Sequence, residues 1–181
     1  MDTIELLKKY YAPESPTILL LVRHSRMVAA KALSIAGRVS HLTPDLQFIE
    51  EAAMLHDIGI LFTNEPAIGC FGEKAYLCHG YLGREILENE GLPKHALVCE
   101  RHVGVGITLK DIEENNLPLP MRDMVPVSIE EQIVCFADKF YSKDADFLDK
   151  EKPLETVRKG IARFGENKLK QFDEWVKMFG Y

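Results

Sequence analysis

The chain has 181 residues, 46% of them hydrophobic, and carries 22 basic against 28 acidic side chains, a formal charge of −6. That length and apolar content fit one ordinary globular domain with a substantial core. The acidic balance excludes a general electrostatic attraction to nucleic acid or to anionic membrane surfaces.

Four cysteines (Cys70, Cys78, Cys99, Cys135) show no C-x-x-C spacing, which argues against a structural zinc or a redox dithiol and for reduced thiols. The longest apolar run, "ILLLV" at 18–22, is too short to span a bilayer, and "MDTIELLKKYY" has no leader-like apolar stretch. A cytoplasmic protein with no membrane partner is the expectation.

In chain order, apolar periodicity predicts helices almost throughout. "DTIELLKKYY" gives a short first helix, "APESP" breaks it, and a longer helix runs over about 16–37 and closes at Gly37. "TPDLQFIEEAAMLHDIG" opens on a Thr or Asp cap with Pro44 near the first turn. Ile49, Ala52, Ala53 and His56 share one face of that helix, and Gly59 is expected to adopt a left-handed conformation that stops it. The stretch 61–78 carries Asn64, Pro66, Gly69 and Gly72 and reads as a loop, after which His79 opens the helix "HGYLGREILENEG".

A helix over about 93–102 stops at "HVGVG", Thr108 caps the short "TLKDIEENN", and "LPLPMRDMVPVS" is an extended connection. Ser128 and Glu131 match a capping box opening a helix over about 128–143. The segment from Pro153 to Tyr181 reads as one or two amphipathic helices with a kink at Gly165. Phe172, Trp175, Met178 and Phe179 form a stripe suited to core or homodimer packing. With no repeat and no convincing strand, the expected fold is all-α, one domain over 1–181, with a core of about 20–143 and a helical extension over about 153–181.

Several polar residues break the apolar pattern. His24 lies on the stripe of Leu20, Leu21, Met27 and Val28, and His56 and Asp57 end another apolar face. Asp138 shares a face with Val134 and Tyr141, and a carboxylate there calls for a cation. His79 and His102 fall at helix ends, where side chains can converge; singly, each is as readily a cap as a ligand. Together these residues make four imidazoles and two carboxylates, a set suited to Mn, Fe, Co, Ni or Zn rather than to a thiolate site. His41, His95 and Glu73 read as structural or loop residues.

The order His24, then His56-Asp57 within "HDIG", then Asp138 resembles the HD-domain metal-dependent phosphohydrolase superfamily. His79 and His102, between the doublet and the last Asp, resemble the extra histidines of its dinuclear branch. The match runs over about 20–143 and implies an HD-domain-like helical bundle. It also implies that His24, His56, Asp57 and Asp138 bind one divalent metal, with Asp57 bridging to a second held by His79 and His102. Fe or Mn is expected, with Co, Ni or Zn as further choices. Asp57 and His56 would then be the catalytic pair, acting with metal-activated water on a phosphomonoester or phosphoanhydride of a small, nucleotide-like molecule. The chain reads "GYL" at 80–82 and has no doubled His at 102, which disfavours hydrolysis of cyclic-di-GMP.

Phosphate also needs cationic side chains. Arg23 and Arg26 flank His24, Arg101 precedes His102, Lys110 follows the glycine-rich turn, and Lys139 and Lys143 lie beside Asp138. Among these Lys139, Arg23, Arg101 and Lys110 are the substrate candidates, Lys139 first. The same ligand pattern fits two other readings, a di-iron HD-type oxygenase and a non-catalytic metal- or nucleotide-binding module.

Overall fold

The computed structural model describes residues 1–144 and 148–181. It is all-α, and each early helix begins where its sequence supplies an acceptor for the free N–H groups of the first turn. Helix α1 (Thr3–Tyr10) starts on Asp2, whose carboxylate accepts from Ile4 N and Glu5 N. Helix α2 (Pro16–Arg38) starts on Ser15 with Pro16 in its first turn, and α3 (Leu46–Leu55) on Asp45, which accepts from Phe48 N. Then follow α4 (His79–Asn89), α5 (Pro93–Arg101), α6 (Leu109–Asn115), α7 (Ile129–Asp138), α8 (Leu154–Ala162) and α9 (Glu166–Met178).

Four details differ from the sequence reading. The segment 61–78 is not plain loop. It holds short 3₁₀ turns and a small antiparallel pair, β1 (Asn64–Glu65) and β2 (Cys70–Phe71), turned at Gly69 with φ 75°. Secondly, α7 ends at Asp138 and not near 143. Beyond it Phe140 N and Tyr141 N bond three residues back, to Ala137 O and Asp138 O, and both side chains stay buried in the core.

Thirdly, Ser128 caps α7 by accepting from Glu131 N, but the Glu131 carboxylate does not return the bond. It takes Val127 N (2.7 Å) and Arg101 Nη1 (3.0 and 3.1 Å) instead. The reciprocal capping box sits at Thr108 and Asp111. Lastly, Gly59 is not left-handed. It is required because a Cβ there would collide with the backbone of α4, at His79 O, Gly83 N and Gly83 Cα.

Two apolar clusters flank the centre of the bundle. One joins α2, α3 and α7 to the C-terminal helices, where Phe136 stacks on Phe172 with ring centroids 5.0 Å apart and also meets Phe179. Trp175 is buried with them, while Met178 faces outward. The other cluster joins α1, the first half of α2, the segment after α3, α4 and α5. Tyr11 pins that segment, donating to Ile58 O (2.6 Å) and accepting from Leu61 N (3.1 Å). Among the described residues no helix is long and apolar enough to cross a membrane.

Candidate metal centre

Between the two apolar clusters the middle of α2 and the ends of α3, α4, α5 and α7 bring His24, His56, Asp57, His79, His102 and Asp138 together, all buried. Their ligand atoms fall into two groups that share Asp57. In the first, His24 Nε2 lies 3.0 Å from Asp138 Oδ1 and 3.3 Å from Asp57 Oδ2, and His56 Nε2 lies 3.4 and 3.0 Å from the same two atoms. In the second, the other Asp57 oxygen, Oδ1, lies 3.4 Å from His79 Nε2 and 3.5 Å from His102 Nε2. Adjacent ligands on a cation bound at about 2.1 Å stand about 3 Å apart, so both groups have the spacing of a coordination sphere.

Three rings are held the same way. His56 Nδ1 donates to Ala53 O (2.6 Å), His79 Nδ1 to Tyr76 O (2.6 Å) and His102 Nδ1 to Cys99 O (2.7 Å). A carbonyl oxygen can only accept, so each Nδ1 carries a proton and each ring turns its Nε2 to the centre. His79 Nε2 and His102 Nε2 therefore face each other at 3.1 Å.

A proton does not resolve that contact at neutral pH. Burial, outweighing the attraction of Asp57, pushes the His79 pKa down to about 3, and burial lowers His102 as well. Two neutral nitrogen lone pairs and a carboxylate oxygen converge there, an arrangement that repels itself unless a cation lies among them.

The first group has a different balance. Burial opposes the charge on His56, but Asp57 and Asp138 outweigh it and raise its pKa to about 9. Burial also resists ionisation of Asp57 and Asp138. His56 and Lys143 hold Asp57 well below the usual carboxylate range, and Lys139 and His24 do the same for Asp138. Among the described residues neither Asp57 oxygen receives a well-directed hydrogen bond, and His56 Nε2 makes none. Lys143 Nζ approaches Asp57 Oδ2 to 2.6 Å as an ion pair. The donor set and these unsatisfied atoms fit divalent metal ions.

Of the candidate substrate cations, Lys139 reaches the centre: its Nζ lies 2.8 Å from Asp138 Oδ2 and donates to His102 O (3.0 Å). Arg23 pairs with Asp149, Arg101 with Glu131, and Lys110, on exposed α6, with Glu114. Lys143, which sequence reasoning ranked behind Lys139, touches Asp57 directly. It stands beyond the end of α7, where no periodicity could have aimed it. Glu100 was missed altogether: it is buried in α5 and ties Arg84 of α4 (2.6 Å) and Arg122 of the proline-rich connection (2.5 Å) to the helix that ends on His102. Its only sequence signal is a carboxylate one turn from apolar neighbours.

A family model described as HD domain matches residues 21–142. A tRNA (cytidine(56)-2'-O)-methyltransferase of Picrophilus torridus is 34% identical over 127 residues, 69% of this chain and 32% of the relative. The enzyme of the same name from Thermoplasma volcanium is 30% identical over 142 residues, 78% of this chain and 36% of the relative. An uncharacterized protein of Methanocaldococcus jannaschii is 33% identical over 152 residues, covering 81% of this chain and 79% of the relative. The chain thus spans about a third of the methyltransferases' length. No solved structure matches.

Proposed function

Because the chain belongs to the HD-domain family, whose superfamily is one of metal-dependent phosphohydrolases, we propose that it hydrolyses a phosphomonoester or phosphoanhydride of a small molecule. His24, His56, Asp57 and Asp138 would hold one divalent ion, and His79, His102 and the second Asp57 oxygen another. The observation that carries this reading is the His79–His102 contact, two Nε2 atoms 3.1 Å apart whose rings each give the Nδ1 proton to a backbone carbonyl. Divalent ions there supply Lewis-acid polarisation of a phosphoryl oxygen and a lowered pKa for the attacking water.

The chain's own residues do the positioning. The three Nδ1–H bonds fix ring orientation, and burial keeps bulk water from His56 and Asp57. Asp138 is the most exposed of the six at 9%, so substrate enters on its side, where the ammonium groups of Lys139 and Lys143 can neutralise phosphate oxygens. About two thirds of each methyltransferase lies outside the match, so the methyl transfer in their names stays with them.

The test is phosphate release from nucleoside phosphates, dinucleoside polyphosphates and sugar phosphates by protein loaded with Mn²⁺, Fe²⁺, Co²⁺ or Ni²⁺, beside Asp57→Ala. Turnover that needs metal and vanishes in the variant is the expected result. A metal-bound protein that is silent on every compound refutes it, and oxygen uptake by the iron form would place it with the oxygenases instead.

A further inference from the structure

Beside the Asp138 edge of the centre lies a cavity of about 430 Å³ lined by Lys139, Lys152, Thr156, Lys159 and Arg163 with apolar Val157 and Ile161 behind them. Among the described residues four cations and no carboxylate line it, in a chain whose acidic residues outnumber its basic ones 28 to 22. Elsewhere the basic side chains near the bundle are mostly neutralised: Lys31 by Glu151, Arg84 and Arg122 by Glu100, Arg101 by Glu131, Arg158 by Asp173 and Lys168 by Asp111. Among the described residues Lys159 and Arg163 have no ion-pair partner, and Lys152 Nζ donates only to Tyr141 O (3.2 Å). Burial and the like charges of Lys139 and Lys143 depress the Lys152 pKa against the pull of Asp138.

Lys139 is paired with Asp138, but Lys152, Lys159 and Arg163 add like charge around one cavity, a concentration of positive field that favours an anion. We propose that this cavity is a phosphate subsite contiguous with the metal centre, taking the second phosphate group of a substrate whose reacting phosphoryl lies at Asp57 and Asp138. Lys139 is the link, since it lines the cavity and sits 2.8 Å from Asp138 Oδ2. The preferred substrate is then an oligophosphate or phosphoanhydride rather than a simple monoester, an inference that rests on the phosphohydrolase reading. The other cations come from residues 152–163, beyond the segment 21–142 that matches the family, so the subsite belongs to the C-terminal extension of this chain.

The experiment compares full-length, Mn²⁺-loaded wild type with Lys159→Ala/Arg163→Ala, whose substituted side chains are exposed and leave the core untouched. Calorimetry reads the binding of inorganic phosphate and of imidodiphosphate, a non-hydrolysable two-phosphate probe. Wild type is expected to prefer imidodiphosphate at least tenfold, with the preference shrinking as salt rises, and the double variant to lose it. In turnover, the ratio of kcat/KM for tripolyphosphate to that for p-nitrophenyl phosphate should fall by a similar factor. A preference retained by the variant overturns the subsite. A preference that the variant abolishes, with neither compound hydrolysed by wild type, supports the anion site and refutes the hydrolase reading instead.

Discussion

Gly59→Ala adds one methyl group directly behind the His-Asp doublet, and the structure fixes what that methyl meets. Its nearest neighbours are His79 O, Gly83 N and Gly83 Cα, the last at 2.9 Å, all backbone atoms of α4 that no rotamer change can move aside. Restoring van der Waals contact requires α4 to shift by ~1 Å as a body. Gly83 in turn packs so closely on Cys99 Sγ of α5 that the shift cannot be absorbed behind it.

Overpacking of a tight core costs about 1–3 kcal/mol, and contact with three immobile atoms puts this case near ~3 kcal/mol. For a chain of this length, that lowers Tm by roughly 6–12 °C. The internal comparison is Gly37→Ala near the end of α2, where an added Cβ meets nothing within 4 Å. There the same change should stabilise by about 0.5–1 kcal/mol through helix propensity.

Urea unfolding of both variants in chelator gives the stabilities. A manganese titration of Gly59→Ala should also show weakened binding, because the shift of α4 carries His79 away from Asp57. A Gly59→Ala midpoint equal to that of wild type would falsify the packing argument, as would Gly37→Ala falling by the same amount.

Two further outcomes follow from the electrostatics of the centre. With its pKa raised to about 9 by Asp57 and Asp138, His56 is protonated at pH 7.5 in chelated protein and must give up that proton to a cation. Metal binding should release about one proton at pH 7.5 and none above pH 10, read from the dependence of calorimetric heat on buffer ionisation; equal heats in all buffers at pH 7.5 would contradict it. His79 works oppositely. Its folded pKa lies below the unfolded one, so chelated protein should lose stability as pH falls from about 6.5 toward 3, and urea midpoints across that window check the sign.

Lys143→Met removes the cation beside Asp57 and should destabilise chelated protein by about 2 kcal/mol. The effect falls short of a fully dry pair because the Lys143 side chain keeps 15% exposure. Added Mn²⁺ should narrow that gap, since the metal then neutralises Asp57; a gap that stays constant with metal would show that Lys143 acts elsewhere.

The helices and the six candidate ligands were legible because each rests on local chemistry: an apolar period, a capping side chain, and a polar residue where the period demands an apolar one. What was not legible depends on distant contacts. Gly59 reads locally as a helix stop, and only the approach of α4 shows why a side chain is forbidden there. Glu131 follows Ser128 at capping-box spacing, yet Arg101, thirty residues earlier, takes its carboxylate. Lys143 stands beyond the end of α7, and the period of α8 shows which side Lys159 lies on but not that this side meets Lys139.

For His56, His79 and His102 the roles of cap and ligand are compatible. Each stands at the residue just past a helical segment, α3, the 3₁₀ turn Tyr76–Cys78 and α5 respectively, and each donates Nδ1–H to the carbonyl three residues back. Carbonyls of a last helical turn lack helical donors, so the imidazole is a good cap there. Capping uses one nitrogen only. It also settles which nitrogen carries the proton and locks the ring, so the opposite nitrogen is delivered as an acceptor aimed along the helix end. Three helical segments directed at one point therefore yield three oriented Nε2 atoms without any further support. The fit to a cation then arises from the same bonds that end the helices, because they leave the Nε2 atoms of His79 and His102 facing one another and Asp57.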